Sequence, residues 1–148
     1  MSSDHTEGTT PGFSTPKACL TDNDLAVGQV VEGISHSKFW RSTLILIVED
    51  DGHRTVALAV SPYTKRGSID STFYSQVSMV KTIEMIFGVR PMSVFDLIAN
   101  DMRASFQKTP DLTPYEAVEP KQPIYEINPD LPPAKWTGRS RMMCQPNN

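Results

Sequence analysis

Two acidic clusters are the residues of this chain whose types could do chemistry together. Asp4-His5 sits in a loop rich in Gly and Thr, ahead of the first expected helix. Glu49-Asp50-Asp51 follows directly on an apolar run, Thr43 to Val48, that reads as a strand. In open α/β sheets, ligands and metals bind at the carboxyl ends of strands. Carboxylates are hard oxygen donors and neutral imidazole suits Zn, Mn and related ions, so the two clusters could hold divalent metal. A metal pair can clamp the oxygens of a phosphoryl group during in-line displacement and neutralise its charge. Spacing alone leaves a second reading open, in which acidic residues after a strand form a solvated turn.

Other polar residues are weaker candidates. His53 and Arg54 come just after the acidic trio, and Arg54 could pair with phosphate bidentately or simply solvate the surface. Lys65-Arg66-Gly67 reads either as a phosphate-facing loop or as an ordinary basic turn. His36, in the turn Ser35-His36-Ser37-Lys38, reads as structural or exposed. Phe39 and Trp40 are expected to pack a helix against the first strand. Cys19 and Cys144 are far apart and form no CxxC, which argues against a zinc knuckle or a disulfide framework. Cys19 reads as a small core residue. No GxSxG, Walker loop or HExxH occurs.

The elements that must position these residues follow from periodicity. Pro16 opens a helix, since proline at the first helical position loses no hydrogen bond. Leu20, Val27, Val30, Val31 and Ile34 carry it to about Ser35. Thr43 to Val48 looks like a strand buried on both faces, the kind found in parallel sheets. Val56 to Val60, stopped by Ser61-Pro62, is a second short strand, and a polar loop covers Ser68 to Tyr74. Ser75 to Phe87 is a helix with Val77, Val80, Ile83 and Phe87 on one face and Gly88 as its cap. A last helix is expected from Ser93 to Phe106, through Val94, Leu97, Ile98 and Met102.

Composition narrows the class. The chain has 148 residues, about one domain, and eight of its twelve prolines lie after residue 107. The expected division is therefore a packed α/β part over 1–108 and an irregular or disordered Pro-rich tail over 109–148. A net charge of −3 argues against nucleic acid, which needs clustered Lys and Arg. Leu44 to Val48, the longest apolar run, is too short to span a bilayer. The start, MSSDHTEGTTPG, has neither the basic residues nor the apolar stretch of a secretion signal, so the chain as written is expected in the cytoplasm.

Several of these segments, in order, resemble one family. S-D-H-T-E-G-T-T-P-G-F-S-T-P (Ser3 to Pro16) is similar to a metal-loop motif of bacterial phosphoesterases of the alkaline phosphatase superfamily, relatives of phospholipase C and acid phosphatase. Asp22 to Trp40 resembles the helix that follows, and T-L-I-L-I-V-E-D-D (Thr43 to Asp51) the strand carrying further metal ligands. His53 to Gly67, Ser78 to Ser93, and T-P-D-L-T-P-Y (Thr109 to Tyr115) resemble its closing strand, helix and C-terminal run. The resemblance covers roughly residues 3–125.

That resemblance implies a partial alkaline phosphatase-like fold, with a short, mostly parallel sheet and flanking helices. It implies a phosphoric ester hydrolase using two divalent metals, with Zn, Mn and Ca as candidates. A Ser or Thr nucleophile would attack phosphorus, and water would release the phospho-enzyme. Asp4 would bind one metal with His5 as co-ligand, and Asp50 and Asp51 the other. His53 and Arg54 become candidates for phosphate or for a substitute ligand.

Three departures qualify this. The family often places its first His four residues after the Asp, where Gly8 stands here. Its nucleophile belongs to an N-terminal half without counterpart in this sequence. Its Asp-His-Val ligand segment, which should follow the acidic pair, is replaced by the single Gly52 before His53. The expected function is therefore the C-terminal metal-binding part of a phosphoesterase, inactive alone, whose missing half a separate chain would supply. The alternatives are a non-catalytic remnant, or an interaction module recruiting a partner through the Pro-rich tail. Family members are mostly periplasmic or secreted.

Overall fold

The computed structural model describes residue 6 and residues 8–49 and 55–130. Its elements are α1 (Pro16–Ser35), β1 (Ile45–Val48), β2 (Ala57–Val60), α2 (Gln76–Phe87) and α3 (Val94–Ile98). Short 3-10 turns lie at Trp40–Ser42 and Arg103–Ser105. Helices and a two-stranded sheet place the chain in the α/β class, as expected. It divides into two compact units, residues 1–26 with 119–148 and residues 27–118, the division falling within α1.

In the first unit, a late segment is stitched onto the loop that precedes α1. Ser14 and Ile127 form an antiparallel bridge. The Thr15 N–H donates to the Glu126 carbonyl at 2.9 Å, and the Asn128 N–H to that of Phe13 at 2.8 Å. Asn128 is buried, and its side-chain amide donates to the carbonyls of Gly8 (2.8 Å) and Thr10 (3.0 Å). Gly8 and Gly12 have φ of 62° and 81°, left-handed values that suit glycine. The Thr15 hydroxyl accepts the Ala18 N–H at 3.1 Å and so caps α1, whose first turn begins with Pro16. Ala18 and the free thiol of Cys19 are buried here.

The second unit holds the sheet. β1 and β2 pair antiparallel, with Ile45 opposite Val60 and Val48 opposite Ala57. The parallel sheet expected from the apolar runs does not form here, for a reason of chain length. Eight residues, 49–56, join the strands. A parallel crossover needs a dozen or more, usually with a helix, whereas an antiparallel return does not. Nor is β1 buried on both faces: Ile45 to Ile47 are half-buried and Val48 is exposed. After β2, the chain turns at Ser61–Thr64 and pairs with a later segment. Thr64 bridges Phe106, and the N–H groups of Gln107 and Asp111 donate to the carbonyls of Tyr63 and Pro62, both at 2.8 Å.

α2 matches its expected span. The Ser75 N–H donates to Ser78 Oγ at 3.1 Å, one half of a capping box. Gly88 ends it in the left-handed conformation, with Val89 N–H bonded to the Glu84 carbonyl at 2.9 Å. The expected apolar face is not the buried one. Ser78, Met79, Thr82 and Glu84 are buried, while Ile83 and Phe87 face solvent.

α3 is shorter than the helix expected to Phe106. Ala99 leaves helical backbone, with ψ of 154°. The Lys81 ammonium takes the carbonyls of Leu97 (2.9 Å) and Ala99 (2.6 Å), and the Met102 N–H donates to Thr82 Oγ1 (3.0 Å). α2 thus occupies the groups that a continued helix would pair internally. Of that helix's expected apolar residues, only Met102 is buried, and the buried residue within α3 is Asp96. Residues 110–126 carry no helix or strand, and residues 131–148 of the expected tail lie outside the described residues.

Candidate metal and phosphate site

Asp4, His5, Asp50, Asp51, His53 and Arg54 all lie outside the described residues. By position in the chain, the last four belong to the eight-residue connection between Val48 and Ala57, which are paired with each other. Glu49, the first residue of that connection, is exposed, and its carbonyl accepts a hydrogen bond from the Gln76 amide at the start of α2. The donor set Asp4, His5, Asp50, Asp51 is chemically suited to hard or borderline divalent ions, since it offers three carboxylates and an imidazole.

A second donor set lies among the described residues. Glu32 and His36 stand four apart at the end of α1, so both side chains fall on one face. Glu116 comes from the segment running back past that end. Each of the three offers one ligand atom, and these atoms lie within 4.8 Å of one another. His36 Nε2 is 3.0 Å from Glu116 Oε1, with both side chains well exposed. Tyr115 fixes the segment: its N–H donates to Ser35 Oγ at 2.9 Å, and Ser35 Oγ lies 3.3 Å from its carbonyl. Ala117 passes close to Gly28, where an added Cβ would meet that of Ala117 at 3.6 Å, an ordinary contact distance. Sequence reading took His36 as structural or exposed and passed over Glu32. The i, i+4 spacing could have paired them, but nothing local announces Glu116.

The basic turn is committed to the fold. Lys65 Nζ donates to the Ala104 carbonyl at 2.7 Å. Arg66 pairs with Asp111 at 3.2 Å, donates to the Thr113 carbonyl, and lies over the Tyr115 ring, 4.6 Å from its centroid. Of the two readings left open for Lys65-Arg66-Gly67, the structural turn is the one observed. Asp70, in the loop before α2, was not singled out by sequence. It accepts the Thr72 N–H (3.0 Å), the Tyr74 hydroxyl (2.7 Å) and Ser105 Oγ (3.2 Å). Its bonds from Thr72, and then that from Tyr74, hold its carboxyl well below the usual range.

A different arrangement ties α2 to α3. Glu84 Oε1 and Asp96 Oδ2 both accept the Met92 N–H, at 3.2 and 2.6 Å, and both residues are buried. Burial, followed by the hydrogen bond with Asp96, pushes the Glu84 carboxyl up. The Ser93 hydroxyl, which donates to Asp96, holds that carboxyl well below its ordinary range against the pull of burial. One carboxyl shifted up beside one shifted down is the pattern of a carboxyl–carboxylate pair. Here it fastens a turn rather than facing a cleft.

No described helix is long and apolar enough to cross a membrane. No curated protein and no solved structure matches the chain. Residues 48–90, from the last residue of β1 through β2 and α2 to Arg90, match the model of the Phosphoesterase family, which supports a phosphoesterase relationship for this stretch.

Proposed function

We propose that this chain is the C-terminal, metal-binding part of a phosphoric ester hydrolase. The observation that carries this reading is the family match over residues 48–90, which takes in Asp50, Asp51, His53 and Arg54. Asp50 and Asp51, together with Asp4 and His5 from the loop before α1, are the residues that would hold the cations. Bound divalent ions would supply charge neutralisation for a phosphoryl group. The chain's own contribution is to offer carboxylates on the short connection of a paired hairpin, and Arg54 as a bidentate donor to phosphate oxygens. Forming a phospho-enzyme needs a hydroxyl nucleophile. The resemblance assigns that role to no residue of this sequence, so the proposal places the nucleophile outside it.

Calorimetry with Mn2+, followed by inorganic phosphate, tests the reading on the full chain. Mn2+ is expected to bind, and phosphate to bind only once Mn2+ is present. Asp50→Ala with Asp51→Ala should weaken both by at least about tenfold, on the scale of losing metal-orienting groups. His36→Ala should leave them unchanged, because His36 belongs to the other donor set. Phosphate binding without metal, or Mn2+ binding that survives the double substitution, would overturn the assignment. The chain alone should not hydrolyse p-nitrophenyl phosphate or its diester with Mn, Zn or Ca. Turnover abolished by Asp50→Ala would sink the claim that the nucleophile comes from elsewhere.

A further inference from the structure

A cavity of about 780 Å³ opens in the second unit beside β1, α2 and the segment after Arg103, within the ~300–1,000 Å³ range of small-molecule sites. Among its polar groups, which also include Ser42, Thr43, Tyr63 and Gln107, two sets differ in freedom. The hydroxyls of Ser61 and Thr82 lie in the lining but are already used by the fold. Ser61 Oγ donates to the Thr43 carbonyl at 2.8 Å and accepts the Tyr63 N–H. Thr82 Oγ1 donates to the Ser78 carbonyl at 2.7 Å and accepts the Met102 N–H. The interior therefore presents carbon, from Leu44, Met85, Ile86 and Phe106, and no unspent donor from either hydroxyl. The cations differ among themselves. Arg103 is held by both oxygens of Asp101, at 2.8 and 2.9 Å. Arg41 and Lys108 are exposed, line the same cavity, and make no ion pair or hydrogen bond with the described residues.

We propose that this cavity binds an amphipathic anion, its apolar body against Leu44, Met85, Ile86 and Phe106 and its single anionic head on Arg41 and Lys108. An apolar wall alone would take any greasy molecule. Two uncommitted positive charges beside it select the sign of the head group, attracting an anion and repelling a cation. The proposal uses none of the residues assigned to metal, so it stands apart from the phosphoesterase reading.

Calorimetry of the full chain with dodecanoate below its micelle threshold tests it, against dodecyltrimethylammonium (same tail, opposite head) and butyrate (same head, no tail). One dodecanoate site is expected, with both comparison probes weaker by about tenfold or more. Arg41→Glu with Lys108→Glu should lower dodecanoate affinity about tenfold and raise that of the cationic probe. Ile86→Glu, at a position already 59% exposed, should also remove dodecanoate binding, while Lys121→Glu outside the cavity should not. Circular dichroism of each variant separates loss of the ligand from loss of fold. Equal binding of the two amphiphiles, binding of neither, or dodecanoate affinity unaltered in the charge-reversed variant would overturn the proposal. So would a concentration-dependent dimer, dissolved by Ile86→Glu and indifferent to dodecanoate, since a second copy would then be the occupant.

Discussion

Two parts of residues 27–118 are held together by opposite means. Around Trp40 the anchor is aromatic. Trp40 is 3% exposed and meets the Tyr115 ring edge-on, with centroids 5.9 Å apart at 87°, while Arg66 covers that ring. Between α2 and α3 most of the buried anchors are polar, beside Met79 and the nearby Met102. Ser78, Thr82, Glu84 and Asp96 are buried, while Ile86, Phe87, Phe95 and Ile98 are more than half exposed. Burial of apolar area is non-directional and tolerates small displacements. A buried polar network is directional, and each member left without a partner costs free energy. The Trp40 region should therefore fail gradually, in proportion to the area removed, and the α2–α3 region bond by bond.

The largest expected effect tests the aromatic side. Trp40→Ala should cost about 3–5 kcal/mol in urea unfolding, the range for deleting a buried large aromatic. Trp40→Phe keeps most of the area and the edge-on contact, and removes an indole N–H that has no partner among the described residues. It should cost about 1 kcal/mol or less. If Trp40→Phe were as damaging as Trp40→Ala, area would not be what Trp40 supplies, and the contrast between the regions would collapse.

The same contrast explains what could be read from sequence. Trp40 is a large aromatic between a helix and an apolar run, so its burial was legible in position, but its ring partner is Tyr115, and Phe39, expected to pack beside it, is 61% exposed. The span of α1, and of α2 with its Gly88 cap, was legible too, because proline, glycine and periodicity act locally. The polar anchor was not. Ser78, Thr82 and Glu84 read as the solvated side of α2, because Val77, Val80, Ile83 and Phe87 form the stripe that usually faces a core. Only long-range partners reverse that reading: Met102 N–H for Thr82 and the Met92 turn for Glu84. The length of α3 failed for the same reason, since Lys81 and Thr82 take groups that its sequence would pair within a helix. At the candidate site, Glu32 and His36 lie within sequence reach of each other, whereas Glu116 joins them only through the fold.

A smaller effect tests the polar side. Thr82→Val preserves shape but removes the hydroxyl that links the Ser78 carbonyl to the Met102 N–H. The Met102 amide is then left without its acceptor, at a cost of about 1–3 kcal/mol in the same unfolding assay. Hydrogen exchange should localise the loss, with faster exchange at Met102 and the 3-10 turn after it than in β1. Uniform acceleration across the unit would mean that the network is not a separable anchor.

The smallest expected effect depends on pH. Folding favours the protonated form of Glu84, whose carboxyl is raised above its ordinary 4.5 by burial and then by Asp96. That contribution is complete below pH 4.5 and is lost as pH rises through the folded value. Asp96, bonded by Ser93 and held low, behaves oppositely: its contribution is present above its ordinary 3.8 and is lost in acid. Lys81, on the same face of α2, favours the ionised form of Glu84 only weakly. Glu84→Gln keeps a neutral group at every pH, so it should raise the melting temperature at pH 7 and change little at pH 4. Asp96→Asn should lower it at pH 7. Glu84 Oε2 is buried without a partner, so the stabilisation expected of Glu84→Gln requires its amide nitrogen to donate to an Asp96 oxygen. Destabilisation by Glu84→Gln at both pH values would therefore show that the two carboxyls do not share a proton, and that Met92 N–H alone joins them.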